Sequence, residues 1–188
     1  MATIGLKDLY MSKITQSGET ETYGTPVRLA KAISAEMSVE TAEEILYADD
    51  GADEVVKEFV SCELKLNVND LTPAMTAELL GQSVDEDGVV YASDGDTAPY
   101  VAVAFRAKKP NGKYKYVWLY KGTFGIPDES YETKGDGIEF KTPELTGTFV
   151  KRPDGKWKAD AVLETTSTAA QCWFSQVREF AEPTPSES

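Results

Sequence analysis

The sequence predicts a mainly β domain: two packed antiparallel sheets, as a β-sandwich or partial barrel, flanked by a short α-helix and followed by a C-terminal helix. Three observations predict it. Apolar and polar residues alternate with a period of two over most of the span from Leu6 to Leu163, the period of strands with one buried face. Two nearly identical turn signals, KKPNGKYK and KRPDGKWK, interrupt that alternation. Only TPAMTAELLG carries both a helix start and a helix stop. No shift of composition divides the chain, so residues 1–180 read as one domain and the polar, proline-rich 181–188 as a flexible tail.

In chain order, GLKDLYMSKI suits a first strand and the polar stretch Gly18 to Gly24 a loop. VRLAKAISAEMSVE alternates as one strand. EEILYADDGADEVVKEF has strand-like ends around an acidic, Gly-containing centre and reads as a hairpin with a long, flexible tip. SCELKLNVNDL puts Cys62, Leu64, Leu66 and Val68 on one face and charged or polar residues on the other, as in a half-buried antiparallel strand. In TPAMTAELLG, Thr72 is the N-cap, Pro73 takes the first helical position, and Gly81 takes the left-handed conformation at the end. Met75, Leu79 and Leu80 form its apolar stripe. So short a helix is marginal in water and must lie on the sheets.

Val84 to Asp96 reads as a loop with an edge strand, and IPDESYETKGDGIEF as an irregular crossing. YVAVAFRAKKPNGKYKYVWLYKGTF is a hairpin, and PELTGTFVKRPDGKWKADAVLE a second one. In each turn Pro sets φ, Asn or Asp follows, and Gly takes the positive φ, giving a three-residue loop with a bulge. TAAQCWFSQVREF spaces Ala170, Trp173, Phe174 and Val177 as a helix.

The first hairpin is apolar on both faces. Its turn pairs Phe105 with Val117, placing Val101, Val103, Phe105, Val117 and Leu119 on one side. Tyr114, Tyr116, Trp118 and Tyr120 share the other with Tyr100, Ala102 and Ala104. The aliphatic side suits a sandwich core. The aromatic row needs a cover too. Three covers are open: the protein's own helix or second sheet, a neighbouring subunit, or a stacked ligand such as a sugar or single-stranded bases. The last reading makes the chain a monomeric carbohydrate-binding or adhesion module. A net charge of −13 argues against bases.

Little in the sequence suggests catalysis, and no enzyme activity or cofactor is expected. The chain has no histidine, the residue most used for proton transfer near neutral pH and the commonest metal ligand. No nucleophile elbow, phosphate-binding loop or dinucleotide fingerprint occurs. Cys62 and Cys172 are far apart, outside any metal-type spacing, and are expected to be buried free thiols, with a single disulfide as the alternative. The acidic groups Asp49, Asp50, Asp53 and Glu54, then Asp85 to Asp87, then Asp94 and Asp96 do not follow a calcium-loop pattern. No stretch resembles a signal peptide or a membrane span, so synthesis in a reducing cytoplasm is the expectation.

The stretches ILYADDGADEV, CELKLNVNDLTPAMTAELLG, APYVAVAFRAKKPNGKYKYVWLYKGTF and TPELTGTFVKRPDGKWKADA, in this order, resemble the major tail protein of long-tailed bacteriophages and prophages of Gram-positive bacteria. The likeness spans residues 4–178 and is most specific at LYADD, at LTPAM with AELLG, and at WLYK. It implies a tail tube protein made in the host cytoplasm and incorporated into the virion tail. Such proteins form hexameric rings that stack into a tube, the conduit for DNA and tape measure protein during genome delivery. The implied partners are further copies of the chain, the tape measure, tail terminator and distal tail proteins. DNA passes through the lumen without sequence-specific binding, and no membrane is involved. The inner tube of a contractile particle fits the same pattern. On this resemblance Tyr47, Asp49, Asp50, Asp53 and Glu54 are expected to form an inter-subunit loop, and Tyr114, Tyr116, Trp118 and Tyr120 an aromatic face between subunits. The Lys-rich stretches with Lys108, Lys109, Lys113, Lys115 and Lys121 depart from a wholly acidic bore.

Overall fold

The structure, a computed structural model, describes residues 3–16, 21–48, 51–128 and 142–180. The tail at 181–188 and most of the expected crossing at 126–140 lie outside the described residues.

Eleven strands and two helices follow in order among the described residues. The first five strands are β1 (Leu6–Gln16), β2 (Thr22–Tyr23), β3 (Val27–Ala30), β4 (Ala32–Ala48) and β5 (Gly51–Val68). Helix α1 (Pro73–Leu80) precedes β6 (Ser83–Val84) and β7 (Val90–Tyr91). The remainder are β8 (Val101–Lys108), β9 (Tyr114–Phe124), β10 (Glu144–Val150), β11 (Lys158–Leu163) and α2 (Thr168–Gln171). Strands β6 and β7 pair only with each other, so the loop at Val84 to Asp96 carries a small two-stranded sheet.

The large antiparallel sheet runs β2-β1-β8-β9-β10-β5-β4, with β3 also on β1 and β11 also on β9. The expected two layers are therefore halves of one continuous sheet, folded over a shared core. From one half come Leu9, Met11, Val103, Phe105 and Leu119. From the other come Leu64, Leu66, Leu145 and Phe149, with Leu79 and Leu80 of α1 packed among them. Cys62, Leu64, Leu66 and Val68 are all fully buried, as their alternation requires.

Helix α1 has the expected ends. The Thr72 hydroxyl accepts from the Met75 amide at 3.4 Å, Pro73 is the first residue, and Gly81 has φ 72°. A Cβ on Gly81 would also lie 2.3 Å from the Thr97 carbonyl oxygen. The C-terminal helix is shorter than expected. Only Thr168–Gln171 is helical, capped by the Ser167 hydroxyl, and turns follow.

Two strand expectations need correction. VRLAKAISAEMSVE is not one strand. It breaks at Lys31, where the chain leaves the edge of β1 as β3 and joins β5 as β4. The segment 143–164 is not a hairpin either. Strand β10 pairs with Lys121 to Phe124 of β9, and β11 pairs with Tyr114 to Leu119 of the same strand. Both are antiparallel to β9, so they lie in line along its edge. KRPDGKWK bulges out between them as a closed turn, with the Arg152 amide donating to the Lys156 carbonyl at 2.9 Å. Its local geometry matches that of KKPNGKYK: Gly155 has φ 78° and Gly112 φ 80°.

Packing where β9 meets β10 is close. A Cβ on Gly122 would meet the Phe149 ring at 2.5 Å, and Phe149 is itself fully buried. Gly122→Ala is therefore expected to force the ring aside and lower stability by about 1–3 kcal/mol, measured by urea unfolding.

Candidate assembly interface

The first hairpin pairs as its turn dictates, with Phe105 opposite Val117 and Ala104 opposite Trp118. Its aliphatic face lines the main core. Its aromatic face lines a second core, covered by the C-terminal segment through Ala170, Trp173 and Val177, with Phe174 at its margin. Tyr10 stacks on Phe174 at 4.8 Å, and the Tyr116 and Trp173 rings lie 5.5 Å apart. The Trp118 indole N–H donates to the Trp173 carbonyl at 3.0 Å. The Tyr120 hydroxyl donates to the Arg178 carbonyl at 2.6 Å, and burial pushes that phenol's pKa up.

This corrects the expected aromatic face between subunits. Tyr116, Trp118 and Tyr120 are buried within the chain, and only Tyr114 is half-exposed. A neighbouring subunit cannot cover a surface that the C-terminal segment already covers. The same burial removes the stacking row on which sugar binding would rest. The segment from Trp173 to Val177 follows turns, so the expected helical spacing did find the covering residues but not their conformation.

The acidic hairpin is the surface left open. Strand β5 pairs with β10 only from Cys62 to Asn67, while its ladder with β4 runs on to Ala48 opposite Gly51. Beyond Cys62 the two strands leave the body as a ribbon. The exit is marked by a bulge: Ser61 pairs with Glu40 and Phe59 with Thr41, leaving Val60 extra. Such an insertion bends a strand and increases its twist. Phe59 stacks on Trp157 at 4.5 Å and braces the base against the turn between β10 and β11. At ~3.3 Å per residue the eight-residue arm Thr41–Ala48 reaches about 26 Å.

Where its side chains are described, the ribbon meets solvent on both faces. Residues 40–44, 56–58 and 60 are exposed, among them Val56 at 49% and Val60 at 47%. Lys57 pairs with Glu43 across it at 2.9 Å, and the Ser61 hydroxyl donates to Glu40 at 3.0 Å. Of the residues expected in an inter-subunit loop, Tyr47, Asp53 and Glu54 lie on the end of this ribbon, with a second bulge at Asp53. Their side chains are not described, and Asp49 and Asp50 lie outside the described residues. Strand β4 has no partner on its outer side among the described residues.

The lysines fall into two groups. Lys121 is half-buried and pairs with the buried Glu21. The others cluster at the β8–β9 turn. There Lys113 reaches Glu164 at 3.3 Å and Lys115 reaches Asp160 at 3.4 Å. Burial alone would raise the Asp160 carboxyl, but Lys158 and Lys115 beside it outweigh burial and hold it below the usual range. Lys7, Lys108 and Lys109 form no ion pair among the described residues.

Both cysteines are free, with Cys62 buried and Cys172 exposed rather than buried. No group of carboxylates or cysteines among the described residues is placed to hold a metal ion. No described helix is long and apolar enough to cross a membrane. The chain matches no protein family model and no curated protein.

Proposed function

We propose that this chain is a structural subunit that assembles with copies of itself into stacked rings, forming a phage tail tube through which DNA passes. The observation that carries this reading is the β4–β5 ribbon. A two-stranded hairpin by itself is marginally stable in water and needs a third strand or a packed face. Here 17- and 18-residue strands run well past the sheet that supports them, with apolar valines on display. A long, open strand edge is an aggregation hazard in a monomer. In a polymer it becomes a joint, because each copy supplies the missing cover for the next.

The resemblance to phage major tail proteins gives this joint its context, and the charge fits it as well. A chain with net charge −13 repels DNA, as a conduit that must not hold its cargo requires. Sedimentation over a wide range of protein concentration and salt tests the reading. Discrete large species should grow in with concentration. A single monomer boundary under every condition would refute it.

A further inference from the structure

A groove lies at the foot of the ribbon, where the folded sheet fails to close. It holds about 420 Å³ and is walled by Leu6 of β1, Ile33 and Met37 of β4, and Phe105 and Val117 of the first hairpin. Strands β1 and β4 come close there without forming a ladder among the described residues. Ile33 is 54% exposed, so an apolar side chain is left at an open strand edge. Lys115 lines the rim of the groove. The backbone joins the neighbouring basic turn to the same rim, since the Ile4 amide donates to the Lys108 carbonyl at 2.7 Å.

The two patches differ sharply in charge. Residues 108–115 hold four lysines and no acid. In the sequence, the stretch 41–60 holds seven carboxylates against one lysine. In so acidic a chain, a cationic end is the exception. Lys108 and Lys109 there have no ion-pair partner among the described residues, and neither does Lys7, whose backbone pairs with Arg106 on the adjoining strand.

We infer that this groove and its lysine rim are the docking surface for the acidic ribbon of a second copy of the chain. The inference rests on the assembly reading above and names the surface that the ribbon meets. Valines such as Val56 and Val60 would enter the apolar groove, while Glu44 and Glu58, both exposed, would face Lys108 and Lys109. Complementary charges of this kind set register and partner choice. The ribbon docks on a patch other than itself, so the contact repeats from copy to copy and closes into a ring when the rotation allows.

Charge reversal tests it. Lys108→Glu with Lys109→Glu, and separately Glu44→Lys with Glu58→Lys, should each raise the concentration needed for half-assembly by about tenfold or more at low salt. The four changes together should restore assembly to within about threefold of the unaltered chain, since restored complementarity is the signature of direct contact. Circular dichroism and a urea midpoint check that each variant is folded. If both pairs assemble as the unaltered chain does, or if the fourfold variant is no better than the pairs, the docking surface is wrong while tube assembly stands. If the unaltered chain never assembles, both inferences fail together.

Discussion

Trp118→Ala is expected to lower stability by about 3–5 kcal/mol, the cost of emptying a large buried aromatic site. Trp118 is among the largest fully buried side chains in the protein. Its ring lies between the first hairpin and the C-terminal segment. The substitution also leaves the Trp173 carbonyl without the indole donor that holds it at 3.0 Å. Denaturant unfolding, monitored by far-ultraviolet circular dichroism, measures the loss. A surface tryptophan awaiting a neighbouring subunit would behave differently, changing monomer stability by less than about 0.5 kcal/mol. The size of the loss therefore separates an internal second core from an exposed face. Phe174→Ala should weaken the same cover less, since its ring is only half-buried against Tyr10.

Removing the ribbon should have the opposite pattern. Residues Ala42 to Glu58 can be replaced by Asn-Gly, because Thr41 and Phe59 are paired across the ladder and that dipeptide closes a two-residue hairpin. Among the described residues, the main core contains none from the deleted segment. The shortened chain is expected to unfold within about 1 kcal/mol of the parent, in keeping with the small effect of surface changes remote from the core. Its self-assembly should be abolished. Sedimentation and a urea midpoint, measured on one preparation, read both halves of this expectation. Loss of folding would mean that the ribbon is part of the body. Undiminished assembly would mean that the joint lies elsewhere.

The parts of the fold that were legible in the sequence are those fixed locally. Alternation at Cys62, Leu64, Leu66 and Val68 places a buried face directly, because a strand has no other way to separate the two parities. Pro, Asn and Gly at 110–112 specify a turn and hence the pairing of Phe105 with Val117. Thr72, Pro73 and Gly81 mark both ends of α1 for equally local reasons. What could not be read is the direction in which the chain continues. KRPDGKWK encodes the same closed turn as KKPNGKYK, yet the strands around it share one edge of β9 instead of pairing with each other. The turn residues are indifferent to that choice; the length of β9, long enough to seat β10 and β11 end to end, decides it. The break at Lys31 is similar, since alternation is uniform on both sides and only the partner strand changes.

The candidate site divides along the same line. An acidic hairpin at residues 43–59 is plain from its strand-like ends and its Asp- and Gly-rich centre. The length that leaves the body is not, because it depends on where β10 stops pairing with β5. The aromatic row was legible as a face needing cover. Its cover was legible only in part: helical spacing picked out Ala170, Trp173, Phe174 and Val177, but not that the chain leaves the helix before the last three, because turn conformation leaves no period of its own in the sequence.

A negative-stain electron micrograph of the concentrated full-length protein tests self-assembly most directly. Hollow rings, alone or stacked into tubes, are the predicted outcome. A field of uniform particles of single-chain size at every concentration and salt would contradict it.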